Sequence, residues 1–443
     1  MPGEKGKTDF RANGWALAPF LVFVAFYLGL SLYVGDFYRV SMPVAFVVAS
    51  ATAMVFRPRL PLTEKIDAFA YGMGETNIMM MCLVFILSGA FAAVAKGAGA
   101  VDAAVLLAQT VIPARMMVAG VFVISALISL SIGTSCGTIA AVTPIALGFA
   151  GPLGLDPALL LGATVGGSMF GDNLSMISDT TIAATRTQEV AMRDKFVVNV
   201  RIAVPAALAA VACYAVAGSS AGCSLDAPAV TWRSLALVAP YALVFVLALA
   251  GFNVMALLFT GTVLVTAIGL ALGSFGLFGP EEAPGALDLA GKGMLDMSDT
   301  LIVAILAGGL FRAVQRNGGI LWLTERIARL VRGPRSCELG VGLLVAAVNL
   351  FTANNTVAIV IVGPIAKTSS ESFRVRPERI ASVLDTVSCI VQGVIPYGAQ
   401  ILIALGVARG AGVSVGAFDL IAAFYYQPLL AIAVLASMAL NRK

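Results

Sequence analysis

Apolar runs of membrane-spanning length recur along almost the whole chain, and they settle its fold class. A helix crosses the hydrocarbon core with about 20 apolar residues, within a range of about 17–25. By that measure spans are expected at 15–34, 40–56, 77–95, 157–183, 196–217, 233–250, 254–272, 299–316, 378–403 and 416–437. Of the 443 residues, 59% are hydrophobic and 12% charged, with a mean hydropathy of +0.95. A soluble domain carries roughly 25% charged residues, so this chain has too little polar surface to cover a soluble globule. Lys5, Lys7 and Arg11 precede the first run and no small-residue cleavage site follows it, which reads as a first helix rather than a cleaved signal.

Two further apolar stretches, 116–150 and 339–366, are interrupted near their middles by polar tips at 133–138 and 351–356. Each arm is about 13–15 residues, too short to cross alone, so both are expected to be re-entrant hairpins. The spans at 157–183 and 378–403 contain polar breaks of their own. Residues 321–331 (LWLTERIARLV) alternate apolar and charged side chains at helical spacing, which suits a helix at the membrane surface. Residues 101–109 are a less charged counterpart.

The chain is internally duplicated under a shift of 220 residues. Gly89 meets Gly309, Lys96 meets Arg316, Gly120 meets Gly340, Pro144 meets Pro364 and Pro157 meets Pro377 without a gap. The expected organisation is N-terminal helices at 1–71, a first repeat at 72–217, connecting helices at 218–292 and a second repeat at 293–443. An odd number of spans separates equivalent points, so the second repeat is expected to be upside down. Basic residues test the orientation, because they concentrate on the cytoplasmic side. With the N-terminus inside, only Arg39, Lys96, Arg115, Arg233, Lys292 and Arg409 of the 28 basic residues fall outside. Both termini are then cytoplasmic, and the acidic loop with Glu281, Glu282 and Asp288 faces out. The fold class expected is an all-α polytopic membrane protein, with about ten transmembrane helices plus two re-entrant hairpins in two inverted-topology repeats, an architecture of secondary transporters with a midplane site.

Acids at membrane depth are costly and mark ion or proton paths. Asp172 lies near the middle of the fourth span. It is a candidate to bind Na⁺ with help from Ser175 and Ser178, or to carry a proton, since desolvation disfavours a charged carboxylate. Asp179 precedes Thr180 and Thr181, either as an N-cap or as a second cation ligand. Thr134, Ser135 and Thr138 form the first tip with Gly133 and Gly137, where glycine lets the backbone turn sharply. Asn354, Asn355 and Thr356 are their counterparts in the second. Asp385 is the one acid inside the ninth span, a proton-site candidate or else an acid paired with Arg379 or Arg312. Gln392, Tyr397 and Gln400 flank the second break, while Glu75, Asp296 and Asp299 read as helix caps. The chain has no His, which removes the commonest proton carrier at neutral pH. Its six cysteines show no ligand spacing, and no disulfide is expected. No phosphate loop, zinc pair or nucleophile elbow is present, and no cofactor is expected beyond the coupling ions.

The stretches GTSCGT (133–138) with Pro144, and GGSMFGDNLSMISDTT (166–181), resemble the NhaC-type sodium/proton antiporter family of the ion transporter superfamily. That resemblance implies a secondary transporter of an inner membrane exchanging Na⁺ for H⁺, or coupling either ion to a small organic solute. It implies that Asp172, Asp179 and the tip hydroxyls line the site; Asn173, which departs from the family's commoner choice, is a further candidate, and Asp172, Ser175 and Thr134 are the candidates to hold Na⁺. Homodimers are common in that superfamily, and the partners it implies are the lipid bilayer and a small ion or solute. Cys136 stands where the family often has an aromatic residue, and the tip TANNT is similar to the Ser-Asn-Thr tips of sodium-coupled carboxylate carriers. A Na⁺- or H⁺-coupled transporter of a small carboxylate or amino acid is therefore the alternative.

Overall fold

The computed structural model describes residues 12–34, 40–55, 60–176, 178–220, 230–249, 252–280, 282–329 and 332–440. Lys5, Lys7, Arg11, Arg39, Arg57, Arg59, Arg442, Lys443 and Glu281, all used above to orient the chain, lie outside the described residues, as do Cys223 and 330–331 of the expected surface helix.

The described residues form helices and turns, with no strand among them. The chain opens with α1 (Ala18–Val34), α2 (Met42–Val55) and α3 (Leu62–Met73). A first unit follows: α4 (Thr76–Ala98), α5 (Ala100–Val111), α6 (Met117–Ile132), α7 (Ser135–Gly148), α8 (Ala150–Leu153), α9 (Pro157–Leu174), α10 (Asp179–Gln188) and α11 (Met192–Ala217). Connecting helices α12 (Trp232–Leu249) and α13 (Val254–Ala271) lead to α14 (Ala286–Asp296), α15 (Ser298–Arg316), α16 (Gly319–Ala328), α17 (Pro334–Thr352), α18 (Asn355–Ser372), α19 (Pro377–Val394), α20 (Ala399–Gly410), α21 (Ala417–Ala422) and α22 (Tyr426–Leu440).

Helix ends follow local chemistry. Glu75 caps α4 as expected, accepting from the Asn77 and Ile78 N–H groups at 3.0 and 3.3 Å. Asp156 caps α9 with Pro157 in its first turn. Eight helical stretches among the described residues are long and apolar enough to cross a bilayer. The helix α9 is not one of them, because its last turn is spent on Gly171, Asp172 and Asn173.

Several boundaries differ from expectation. The second hairpin has arms of 19 and 18 residues, longer than the short arms read from 339–366. In the first arm, Glu338 is buried inside α17, accepting from Arg379 Nε and Nη2 at 3.1 and 3.0 Å. The helix runs a turn further. The breaks fall at 175–178 and 395–398, so Asp172 and Gln392 sit in the last turns of α9 and α19 rather than in the breaks. Asp179 is the first residue of α10, and Ser178 is the N-cap. Asp296 ends α14 and Asp299 lies inside α15, so neither caps; Asp299 pairs with Arg409 at 2.7 Å. The last span splits at 423–425, where Tyr214 Oη donates to the Ala423 carbonyl and accepts from the Tyr425 N–H. The amphipathic helices α3 and α14 were not foreseen.

The helix bounds repeat with the offset of 220: Ser135 and Asn355, Pro157 and Pro377, Leu174 and Val394, and Asp179 and Ala399 each open or close equivalent helices. The packing exchanges in the same way. Helix α10 packs on α18 and α7 on α20; α3 packs on α15 and α14 on α4. Met169 and Cys389 are counterparts under the offset and touch, Cys389 Sγ lying 3.4 Å from the Met169 carbonyl oxygen.

Close backbone approach makes these contacts. A Cβ on Gly89 would lie 2.1 Å from the Gly293 carbonyl oxygen, and one on Gly293 would lie 2.2 Å from that of Gly89. Small residues at membrane-helix crossings allow such contact. Gly89→Leu is expected to separate α4 from α14 and destabilise the protein by about 1–3 kcal/mol or more, read as a lower melting temperature in detergent. Gly291→Ala, where a Cβ meets nothing within 4 Å, is expected to leave the melting temperature unchanged or higher.

Candidate functional site

Four helix interruptions open on one cavity of about 410 Å³. At the first, Gly133 ends α6 in the left-handed region (φ 75°), Thr134 is extended, and α7 starts at Ser135. At the second, Ala353 takes the same left-handed position (φ 47°) and the Asn354 side chain caps α18, accepting from the Val357 N–H at 3.0 Å. The other two are the breaks after α9 and α19. The N-termini of α7, α10, α18 and α20 all reach the cavity wall. Each brings peptide N–H groups without intrahelical partners and the positive end of a helix dipole. The last turns of α9 and α19 bring Asp172 and Gln392.

Asp172 is 5% exposed and held from both sides. Ser178 Oγ donates to its Oδ1 at 2.6 Å, and Ser135 Oγ to its Oδ2 at 3.0 Å. Ser178 also lies 2.9 Å from the Thr180 hydroxyl. From the second half, Gln400 Nε2 donates to Ser135 Oγ at 3.1 Å. Gln392 Nε2 in turn donates to Gln400 Oε1 at 2.9 Å and to the Ala353 carbonyl at 2.8 Å. A hydrogen-bonded chain thus runs from the Asp172 carboxylate to the tip of the second hairpin.

Of the residues singled out from sequence, Thr134, Ser135, Asp172, Ser178, Asp179, Thr180, Asn354, Asn355, Thr356 and Gln392 line this one cavity. Thr138, Asn173, Ser175 and Asp385 do not. Thr138 lies one turn into α7, its hydroxyl donating to the Thr134 carbonyl at 3.0 Å. Ser175 is buried in the break; Ser178, expected beside Asp172, does contact it, and Ser135 of the first tip joins it.

Asp385 is fully buried, and its partner is neither Arg379 nor Arg312 but Lys195. Lys195 counted as a cytoplasmic loop charge by position, yet it is 1% exposed in the first turn of α11. Its Nζ also donates to the Asn173 carbonyl at 3.0 Å and to Thr181 Oγ1 at 2.7 Å. Asn199, one turn on, donates to Asp385 Oδ2 at 3.0 Å, and Asn173 Nδ2 donates to the same oxygen at 3.1 Å. Lys195 and Asn199 were missed. The available signal was two polar residues at i and i+4, on one side of α11.

A profile of the Na⁺/H⁺ antiporter family matches residues 11–223 and 203–438. The malate-2H⁺/Na⁺-lactate antiporter of Bacillus subtilis is 22% identical over 404 residues, which cover 85% of this chain and 86% of that protein. The Na⁺/H⁺ antiporter NhaC of Alkalihalophilus pseudofirmus is 24% identical over 343 residues, covering 71% and 73%. Among solved structures, the YdaH transporter of Alcanivorax borkumensis aligns over 95% of this chain and 97% of its own, at 15% identity and a TM-score of 0.43.

Ala353 is the tip position at which a side chain tests the geometry. Its left-handed backbone strains any residue with a Cβ, and a β-branched one most. Ala353→Val is expected to cost about 1–2 kcal/mol, whereas Ala353→Gly is expected to melt no lower than the parent. Thermal unfolding of the two variants in detergent checks this.

Proposed function

This chain belongs to the Na⁺/H⁺ antiporter family, and we propose that it exchanges Na⁺ for H⁺ across a bacterial inner membrane, with Asp172 as the exchange site. The observation that carries the proposal is the convergence of both hairpin tips and both helix breaks on the cavity that Asp172 lines. Irregular backbone at membrane depth is tolerated where it lines a cavity, and midplane sites of secondary transporters are built this way. Asp172 offers the charge, the hydroxyls of Ser135 and Ser178 already contact it, and Thr134, Asp179 and Thr180 share the wall. Na⁺ and H⁺ then compete for one carboxylate, which is sufficient for exchange. The exchange of packing partners under the 220-residue offset supports alternating access by two inverted halves, and in this reading both termini are cytoplasmic.

A second reading, coupled transport of a small carboxylate, is favoured by one feature. Four helix N-termini and the Asn354-Asn355-Thr356 tip face the same cavity, and that arrangement suits a carboxylate group. The relative named for malate and lactate points the same way.

Proteoliposomes loaded with Na⁺ decide between the two. With an outward Na⁺ gradient, the wild-type protein is expected to acidify the lumen, and Asp172→Asn to lose that proton flux at least tenfold while remaining folded. Absence of Na⁺-dependent proton flux, together with Na⁺-dependent uptake of a carboxylate, would replace the first reading with the second.

A further inference from the structure

We propose that the Lys195 ammonium is a built-in cation, seated in an oxygen site formed by Asp385, Asn173 and Thr181 that Na⁺ fills when the lysine is removed. This goes beyond the exchange site, because Lys195, Asn173, Thr181 and Asp385 lie off the Asp172 cavity.

The geometry is that of an ion site with its ion covalently tethered. An ammonium has three N–H donors and no acceptor. All three are matched: the Asp385 carboxylate, the Asn173 carbonyl at 3.0 Å and the Thr181 hydroxyl at 2.7 Å. One carboxylate, one peptide carbonyl and one hydroxyl are the oxygen donors that hard cations take. The carbonyl comes from the last turn of α9, where the helix breaks and carbonyls lack intrahelical donors, at the negative end of the helix dipole.

The acid is arranged as an anion awaiting a cation. Asn173 and Asn199 both direct amide N–H groups at Asp385 Oδ2. Its Oδ1 is buried and has no hydrogen-bond partner among the described residues. A buried carboxylate is retained only when paired, so removal of Lys195 leaves a charged, oxygen-rich hole that also has a spare carboxylate oxygen. Its ligands come from both halves, Asn173 and Thr181 from the first and Asp385 from the second.

The test is Na⁺ binding by purified protein in detergent, with Asp172→Asn as the common background so that the cavity carboxylate does not contribute. Equilibrium binding of radioactive Na⁺ and thermal melts in sodium chloride against N-methylglucamine chloride are read on the same samples. Adding Lys195→Ala is expected to create one Na⁺ site per chain and a melting temperature that rises with sodium. Adding Asp385→Asn to that variant is expected to abolish both, in a protein that folds without sodium because the buried charge is gone. The proposal is overturned if Lys195→Ala binds no more Na⁺ than the background. It is also overturned if the new Na⁺ persists without the Asp385 carboxylate, or if Lys195→Ala unfolds in sodium while the neutral pair folds.

Discussion

A helix interrupted inside a membrane exposes peptide ends that lipid cannot satisfy, and the organisation of this protein follows from meeting that demand at several places at once. Side chains answer part of it. Asn354 caps α18, Gln392 takes the Ala353 carbonyl, Tyr397 takes the Leu350 carbonyl, and Tyr214 bridges the split before α22. The N-terminal ends of α7, α10 and α20 reach the cavity that Asp172 lines. Aromatic rings close the flank of the second break, where Phe20, Phe23 and Phe46 surround Tyr397 with centroids 5.2–5.7 Å away.

The two halves are joined by what works in an apolar medium. Lipid tails offer little hydrophobic incentive for helices to associate, so close packing and hydrogen bonds do the joining. Glycine pairs bring α4 against α14 and α3 against α15. Polar contacts cross between halves at Gln400 with Ser135, at Gln188 with the Gly363 carbonyl, and at Asn173 and Lys195 with Asp385. Asp172 and Asp385 are each therefore connected to the opposite half, Asp172 through Ser135 and Gln400 and Asp385 directly. A movement of one half against the other would alter the surroundings of both carboxylates.

Much of the site was legible in the residues. Gly133, the paired tips and Asp172 stand out because a polar, glycine-flanked segment inside an apolar run is costly in lipid unless it lines a cavity. The 220-residue offset brings the second tip into register with the first. One misreading has a general cause. Lys195 and Glu338 lie at the starts of helices, where a charge looks like the loop before a span. Burial beside Asp385 and Arg379 keeps those positions helical and inside. Sequence alone gives no means of telling a charge with a distant partner from one in water.

Hydropathy and the spacing of breaks, which are local properties, by themselves determined an all-helical membrane protein with a repeated pair of hairpins and broken helices, and singled out Asp172. Only the tertiary structure decided which polar groups share a cavity, that Ser135 joins Ser178 on Asp172, and that Asp385 is paired with Lys195. Those choices depend on contacts between residues as far apart as Lys195 and Asp385, and these are made by helix packing across the two halves, where chain order carries no distance information.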